Sequence, residues 1–177
     1  VHCIGSVDLS DLRKARTDKF IMESFSNLLQ KKDFGDITIT EIVKQAMIHR
    51  NTFYQHYIDK CDLLEEFITR QIIDSDLQID EFKIAPFRNL YNVFMSDAIL
   101  KTILSRQSTD NEFSSILPKT FANSFVKKNG GNYDILWSLG RFAAVLGWNK
   151  LNKHHCSLES DYDYLDHIYQ TEKFPHH

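Results

Sequence analysis

Apolar residues recur along this chain at helical spacing, and no long alternating apolar/polar run suggests a strand. From about Leu12 to Lys32, the residues Ile21, Phe25, Leu28 and Leu29 fall at i, i+4, i+7 and i+8, which predicts a helix with one inward stripe. Thr38-Ile39-Thr40-Glu41 has the form of a capping box: the Thr38 hydroxyl can accept from the Glu41 N–H while the Glu41 carboxylate reaches back to the Thr38 N–H, so a helix starts there. Ile42, Val43 and Ala46 give that helix one apolar face about two turns long. The pattern breaks at Met47-Ile48 and resumes in a second short helix through Phe53 and Tyr57. Two short helices joined by a tight turn form a helix-turn-helix.

Downstream, Asp59 is placed to cap a helix carrying Leu63, Leu64, Phe67 and Ile68 and reaching about Ser75. Pro86 suits the first position of a helix through Leu90, Tyr91 and Phe94. Ser96-Asp97 restarts one through Ile99, Leu100, Ile103 and Leu104. Asp110 can cap a helix over 111–128, with Phe113, Ile116, Leu117, Phe121 and Phe125 inward and a kink or break at Pro118. Asn129-Gly130-Gly131 ends it. A long apolar helix follows, with Leu136, Leu139, Gly140, Ala143, Ala144 and Gly147 placing small residues on one side, and a last helix spans about Asp161 to Thr171. The expected class is all-α, divided as 10–75 and 76–177.

The second helix of the short pair is unusually polar. His49, Arg50, Asn51, Thr52, Tyr54, Gln55 and His56 all carry hydrogen-bonding groups. Arg and Asn or Gln match guanine and adenine edges, and Tyr, Thr and Lys match phosphate, so the composition points to DNA; a merely solvated helix face is the plainer alternative. The run Thr52-Phe53-Tyr54-x-His56-Tyr57-x-x-Lys60 resembles the signature of the TetR family, and about Arg13 to Phe67 is similar to that family's DNA-binding domain.

The resemblance implies an N-terminal three-helix reading domain joined to a helical body for effector binding and dimerisation. It implies that Thr52, Tyr54, His56 and Lys60 hold phosphates and that His49, Arg50 and Asn51 lie nearest the bases, with Gln55 and Thr38 as further candidate contacts. The family usually has Gly in the turn, where this chain has Met47, so the turn is either mildly strained or re-shaped. The expected partners are a palindromic double-stranded operator and a second copy of the chain, through Gly140, Ala144, Gly147 and Leu165. A small effector is expected in an aromatic pocket drawn from Tyr91, Phe94, Phe113, Phe121, Phe125 and Trp137, although aromatics at helical spacing more often simply fill a core. A body that docks a partner protein in place of an effector is the second reading, and a helical interaction module without DNA binding is the third.

Composition narrows this further. The net charge of −3 excludes indiscriminate polyanion binding, so any nucleic-acid contact is local. Residues 1–60 hold nine Lys/Arg against eight Asp/Glu, with Arg13, Lys14, Arg16 and Lys19 grouped near the front. Three widely spaced cysteines without a C-x-x-C pair indicate neither a disulfide framework nor a zinc ribbon and fit a reducing cytoplasm. His154-His155-Cys156 lacks a second cluster to complete a metal site, so exposed groups near a helix end are the favoured reading, and His176-His177 reads as a tail or tag remnant. No G-x-S-x-G, P-loop, paired-carboxylate or Cys–His pattern points to catalysis, so no cofactor is expected. The chain opens on Val, which suggests a processed or shortened start, and no apolar run reaches membrane-spanning length.

Overall fold

The computed structural model describes residues 9–151 and 156–175, and among them all regular structure is helical. The order is α1 (Leu9–Leu29), a 3-10 turn (Phe34–Asp36), α2 (Ile39–Gln45), α3 (Arg50–Tyr54), α4 (Lys60–Asp74), α5 (Ile79–Ile84) and α6 (Pro86–Leu90). A π-helical turn (Tyr91–Met95) then leads to α7 (Ala98–Gln107), α8 (Asn111–Lys128), α9 (Ile135–Leu151) and α10 (Tyr162–Thr171). None of these helices is long and apolar enough to cross a membrane.

Most boundaries follow from local chemistry. Asp59 accepts from the N–H groups of Cys61 and Asp62 at the start of α4, and Asp97 does the same for Ile99 and Leu100 at α7. Pro86 stands in the first turn of α6. Helix α8 ends in a Schellman motif, with Gly131 N–H donating to Val126 O at 2.9 Å and Gly130 N–H to Lys127 O at 3.2 Å; both glycines have positive φ. Three details differ from the sequence expectation. Helix α8 continues through Pro118, and the segment left without an element before Pro86 holds α5. The helix from Pro86 gives way at Tyr91 to a wider π turn before Phe94 is reached.

The chain forms two compact units, the first of residues 1–67 and 103–116, the second of 68–102 and 117–177. Where the sequence suggests one cut near 75/76, the grouping is discontinuous, and a later stretch of chain completes the first unit. In that unit the inward stripe of α1 is buried as its spacing predicts, and Phe25 meets Phe34 and Phe67 edge-on at 6.1 and 6.0 Å between ring centres.

The later stretch supplies polar groups to that core. Gln107, fully buried, accepts from Phe34 N–H at 2.8 Å and donates to Leu29 O at 2.7 Å and Lys32 O at 2.8 Å. Asp110 accepts from Gly35 N–H at 2.8 Å and Phe113 N–H at 2.7 Å. Burial pushes the Asp110 carboxyl up, but the N–H groups of Phe113, Gly35 and Glu112 outweigh it and hold the group below its usual range.

In the second unit, Phe87, Val145, Leu165, Ile168 and Tyr169 form a core, with Phe142, Trp148 and Tyr162 packed against it. Asp166 of α10 is buried there and accepts from the N–H groups of Phe87 and Arg88, so it caps α6 from another helix.

Replacing Gln107 by Leu keeps the volume but leaves two carbonyls and one N–H in unit one without their partner. The expected loss is about 3 kcal/mol, from about 1 kcal/mol or more per orphaned buried group, read as a lower denaturant midpoint at unchanged slope.

Candidate nucleic-acid interface

The capping box forms as its sequence implies. The Glu41 N–H donates to Thr38 Oγ1 at 3.3 Å, the Thr38 N–H donates to Glu41 Oε2 at 3.0 Å, and Lys32 Nζ adds a contact to Glu41 Oε1 at 2.7 Å. The Lys32 ammonium, followed by the Thr38 N–H and hydroxyl, holds the Glu41 carboxyl at about 2, against 4.5 for an unperturbed one. Its folded-state pKa is depressed, so its support for the box is complete above 4.5 and is lost only as the pH falls toward about 2. Thr38 is thus engaged in starting α2.

The turn out of α2 is a second Schellman motif. Ile48 N–H donates to Val43 O at 3.0 Å, Met47 N–H to Lys44 O at 3.3 Å, and Met47 takes φ 53°. Met47 therefore occupies the left-handed position that glycine fills without strain, and the turn keeps its shape at some steric cost. Its side chain is 91% exposed, so no packing offsets that cost.

Helix α3 is anchored by Phe53, fully buried, and the following Tyr57, 5% exposed. The Tyr57 hydroxyl donates to Asp18 of α1. With these residues inward, His49, Arg50, Asn51, Tyr54 and Gln55 face solvent and Thr52 is half-buried. Arg50 and Tyr54, one turn apart, are paired: Arg50 Nη2 donates to the Tyr54 hydroxyl at 3.1 Å, and the guanidinium lies 5.7 Å from the ring centre. Lys44 and Gln45, at the end of α2 beside the turn, are also exposed. They were not singled out from sequence, where they read as ordinary polar positions of an amphipathic helix; only the turn brings them beside α3.

Two predicted phosphate contacts are placed elsewhere. The His56 side chain is 6% exposed, stacks on Tyr57 and has Nδ1 4.0 Å from Asp18 Oδ1. Lys60 Nζ donates to Phe34 O and Gly35 O, both at 3.1 Å, and pairs with Glu112 at 3.0 Å. Its charge is engaged within the protein's own first unit. The motif positions are occupied, but these two hold the α1–α2 connection and α3 in place.

The aromatic-pocket expectation is also revised. Phe113 lies buried in the first unit, Phe121 and Phe125 pack with Phe82, Tyr91 stacks on Tyr162 at 4.7 Å, and Trp137 is 81% exposed. Among the six candidates, Phe94 alone lines the cleft of the second unit, a polar space of about 640 Å³. Leu165, expected at a subunit contact, is 1% exposed within its own chain's core. His154 and His155 lie outside the described residues, as do His176 and His177; Cys156 is half-buried and its N–H donates to Asn149 Oδ1 at 2.7 Å.

The architecture matches a solved structure. A TetR transcriptional regulator from Rhodococcus sp. RHA1 superposes with a TM-score of 0.50 at 15% identity, covering 92% of this chain and 99% of that one. This chain has the TetR fold. In sequence, it is 33% identical over 99 residues to the uncharacterized HTH-type transcriptional regulator YxbF of Bacillus subtilis (strain 168), a match spanning 55% of this chain. The chain covers only 25% of that relative's length. No family model matches. Within the TetR fold, α2, the Met47 turn and α3 form the helix-turn-helix, and the Arg50–Tyr54 pair stands on its exposed side.

Met47→Gly tests the turn. Relief of the left-handed strain, about 1–2 kcal/mol, exceeds the added entropy of an unfolded glycine, about 0.4–1 kcal/mol, so the variant should be more stable by about 0.5–1 kcal/mol in a denaturant titration.

Proposed function

We propose that this protein is a DNA-binding transcriptional regulator, acting as a dimeric repressor on a palindromic operator and released by a small effector held in the second unit. The observation that carries the reading is the exposed polar row of α3, presented by a helix-turn-helix whose buried side is completed by Phe53 and Tyr57. Arg50 and Asn51 stand at its start, where side chains of a recognition helix meet base edges, and His49 and Gln55 flank them. The Tyr54 hydroxyl restrains the Arg50 guanidinium, which lowers the entropy lost when that group is fixed on a guanine. Thr52 and Tyr54 supply hydroxyls for phosphate. Lys44, with Arg13 and Arg16 of α1, adds exposed positive groups.

Pairing of two chains is supported by α9. Ile135, Ser138 and Val145 face the core, while Leu136, Trp137, Leu146 and Leu151 are exposed together with Gly140, Ala144 and Gly147. A Cβ at Gly140 or Gly147 would meet nothing within 4 Å, so neither glycine is required by a neighbour in this chain. Each costs about 1 kcal/mol in a helix interior, and close approach of a second helix accounts for keeping them. A two-fold pair of reading heads matches a palindromic half-site arrangement. An effector acts by preferring a head spacing that does not fit successive major grooves, and it lowers operator affinity by that preference. A polar cleft in the second unit favours this over a purely protein-docking body.

Selecting sequences from a random DNA pool tests the reading. Wild type should yield a palindrome, and Arg50→Ala should lose preference at one base pair per half-site, at a cost of about 1–3 kcal/mol on the operator and little on random DNA. Identical selected motifs from both proteins would remove Arg50 from base reading, and no enrichment from wild type would overturn the function. For assembly, Ala144→Arg places an unpaired charge in the α9 face and should sediment as a monomer; an undisturbed dimer would relocate the contact.

A further inference from the structure

The cleft of the second unit is acid-lined. Asp74 and Asp76 at the end of α4, Glu81 of α5 and Asp97 before α7 border it, with Phe94 as an aromatic wall, and no Lys or Arg is among its lining residues. None of these four carboxylates has an ion-pair partner among the described residues. The nearby Lys128 ammonium donates to the carbonyls of Ile72, Ile73 and Ser75 and is thereby held at the backbone of the α4 terminus.

A second observation points to a ligand. Asn89 lines the same cleft and is 6% exposed; its Nδ2 donates to Glu81 Oε2 at 2.6 Å, and its Oδ1 has no hydrogen-bond partner. The carboxylate can only accept, so the amide orientation is fixed and the orphan group is an acceptor that calls for an N–H. Phe94 and Asn92 come from the π-helical turn, an irregularity that re-aims side chains at this wall.

We infer that this cleft binds an organic ammonium ion, a protonated amine whose N–H donates to Asn89 Oδ1 while its charge is met by the surrounding carboxylates. No cluster of three or more metal-ligating side chains is present among the described residues, so a bare divalent cation is the poorer fit. Phe94 offers a face on which an ammonium or its alkyl chain rests. This deepens the reading of the second unit as the sensing body and specifies the charge and chemistry of its effector.

Isothermal titration without DNA separates this inference from operator binding, whose failure would be seen in the selection experiment alone. The matched probes are 1,6-diaminohexane, a dication with N–H donors, and hexamethonium, which has the same span and charge but no N–H. The diamine should saturate one site per chain, and hexamethonium should bind about tenfold more weakly, the loss expected when a buried acceptor is left unfilled. Asp74→Asn with Asp76→Asn, both exposed residues of the cleft lining, should weaken the diamine about tenfold at unchanged thermal stability, and raised salt should weaken it further. Asn89→Leu should abolish the difference between the two probes. No saturable diamine binding, equal binding of both probes by wild type, or an affinity untouched by the double substitution would each overturn the assignment. Displacement by Mg²⁺ at equal charge concentration would do so as well, because it would mark a diffuse counter-ion cloud.

Discussion

The backbone between α1 and α2 turns with Phe34 and Ile37 buried and Gly35 at the surface, and the polar groups beside the buried Phe34 must be satisfied within the unit. Gln107, Asp110 and Lys60 do this together: one amide side chain takes both a donor and two acceptors, one carboxylate takes the Gly35 N–H, and one ammonium takes the carbonyls of Phe34 and Gly35. Leaving the buried ones among them, the Phe34 N–H and the Leu29 carbonyl, unpaired would cost about 1–3 kcal/mol each. The arrangement fixes Phe34 against Phe25, which sets the floor on which α2 packs, and α2 in turn carries the Met47 turn and α3. The polar row of α3 is therefore oriented by hydrogen bonds made far from it in sequence.

The same logic explains why motif positions and surface positions part company. Tyr57 and His56 sit in the signature because Asp18 of α1 must be met as α3 closes on that helix. Lys60 sits there because helix α4 starts beside the 34–35 carbonyls, with the Phe34 ring 4.5 Å from its ammonium. A signature read as a set of external contacts is in part a set of internal ones. What is left on the outside is Arg50 with Tyr54, flanked by His49, Asn51, Gln55 and Lys44.

In the second unit the apolar and polar surfaces are divided between different elements. Its aromatic residues are largely consumed in packing, as Phe82, Phe121, Phe125 and Phe142 in one group and Tyr91 on Tyr162 in another. The cleft bordered by α4, α5 and the π turn is polar and acidic, and α9 exposes Leu136, Trp137, Leu146 and Leu151. The proposed cation site and the proposed contact between copies thus use different faces of one helical body. In that scheme the π turn at Tyr91–Met95 supplies the cleft, and the small residues of α9 the contact.

Local rules in the sequence determined the helices, since caps and stops act within a few residues: Thr38 with Glu41, Asp59, Pro86, Asp97, Asp110 and the Gly130-Gly131 end each act where the pattern places them. The inward stripes of α1 and α4 and the polar row of α3 were legible for the same reason, because helical periodicity assigns a face without reference to any partner. Helix α5 was not, since its six residues carry no side-chain cap and are held by packing on α6 and α9. Tertiary structure alone decided that residues 103–116 complete the first unit, that Lys60 pairs with Glu112 and the His56 side chain is buried, that Leu165 belongs to the core and Trp137 to the surface, and that the cleft in the second unit is lined by carboxylates. Each of these depends on which distant groups meet, and a spacing pattern along one chain records a face but not what lies across from it.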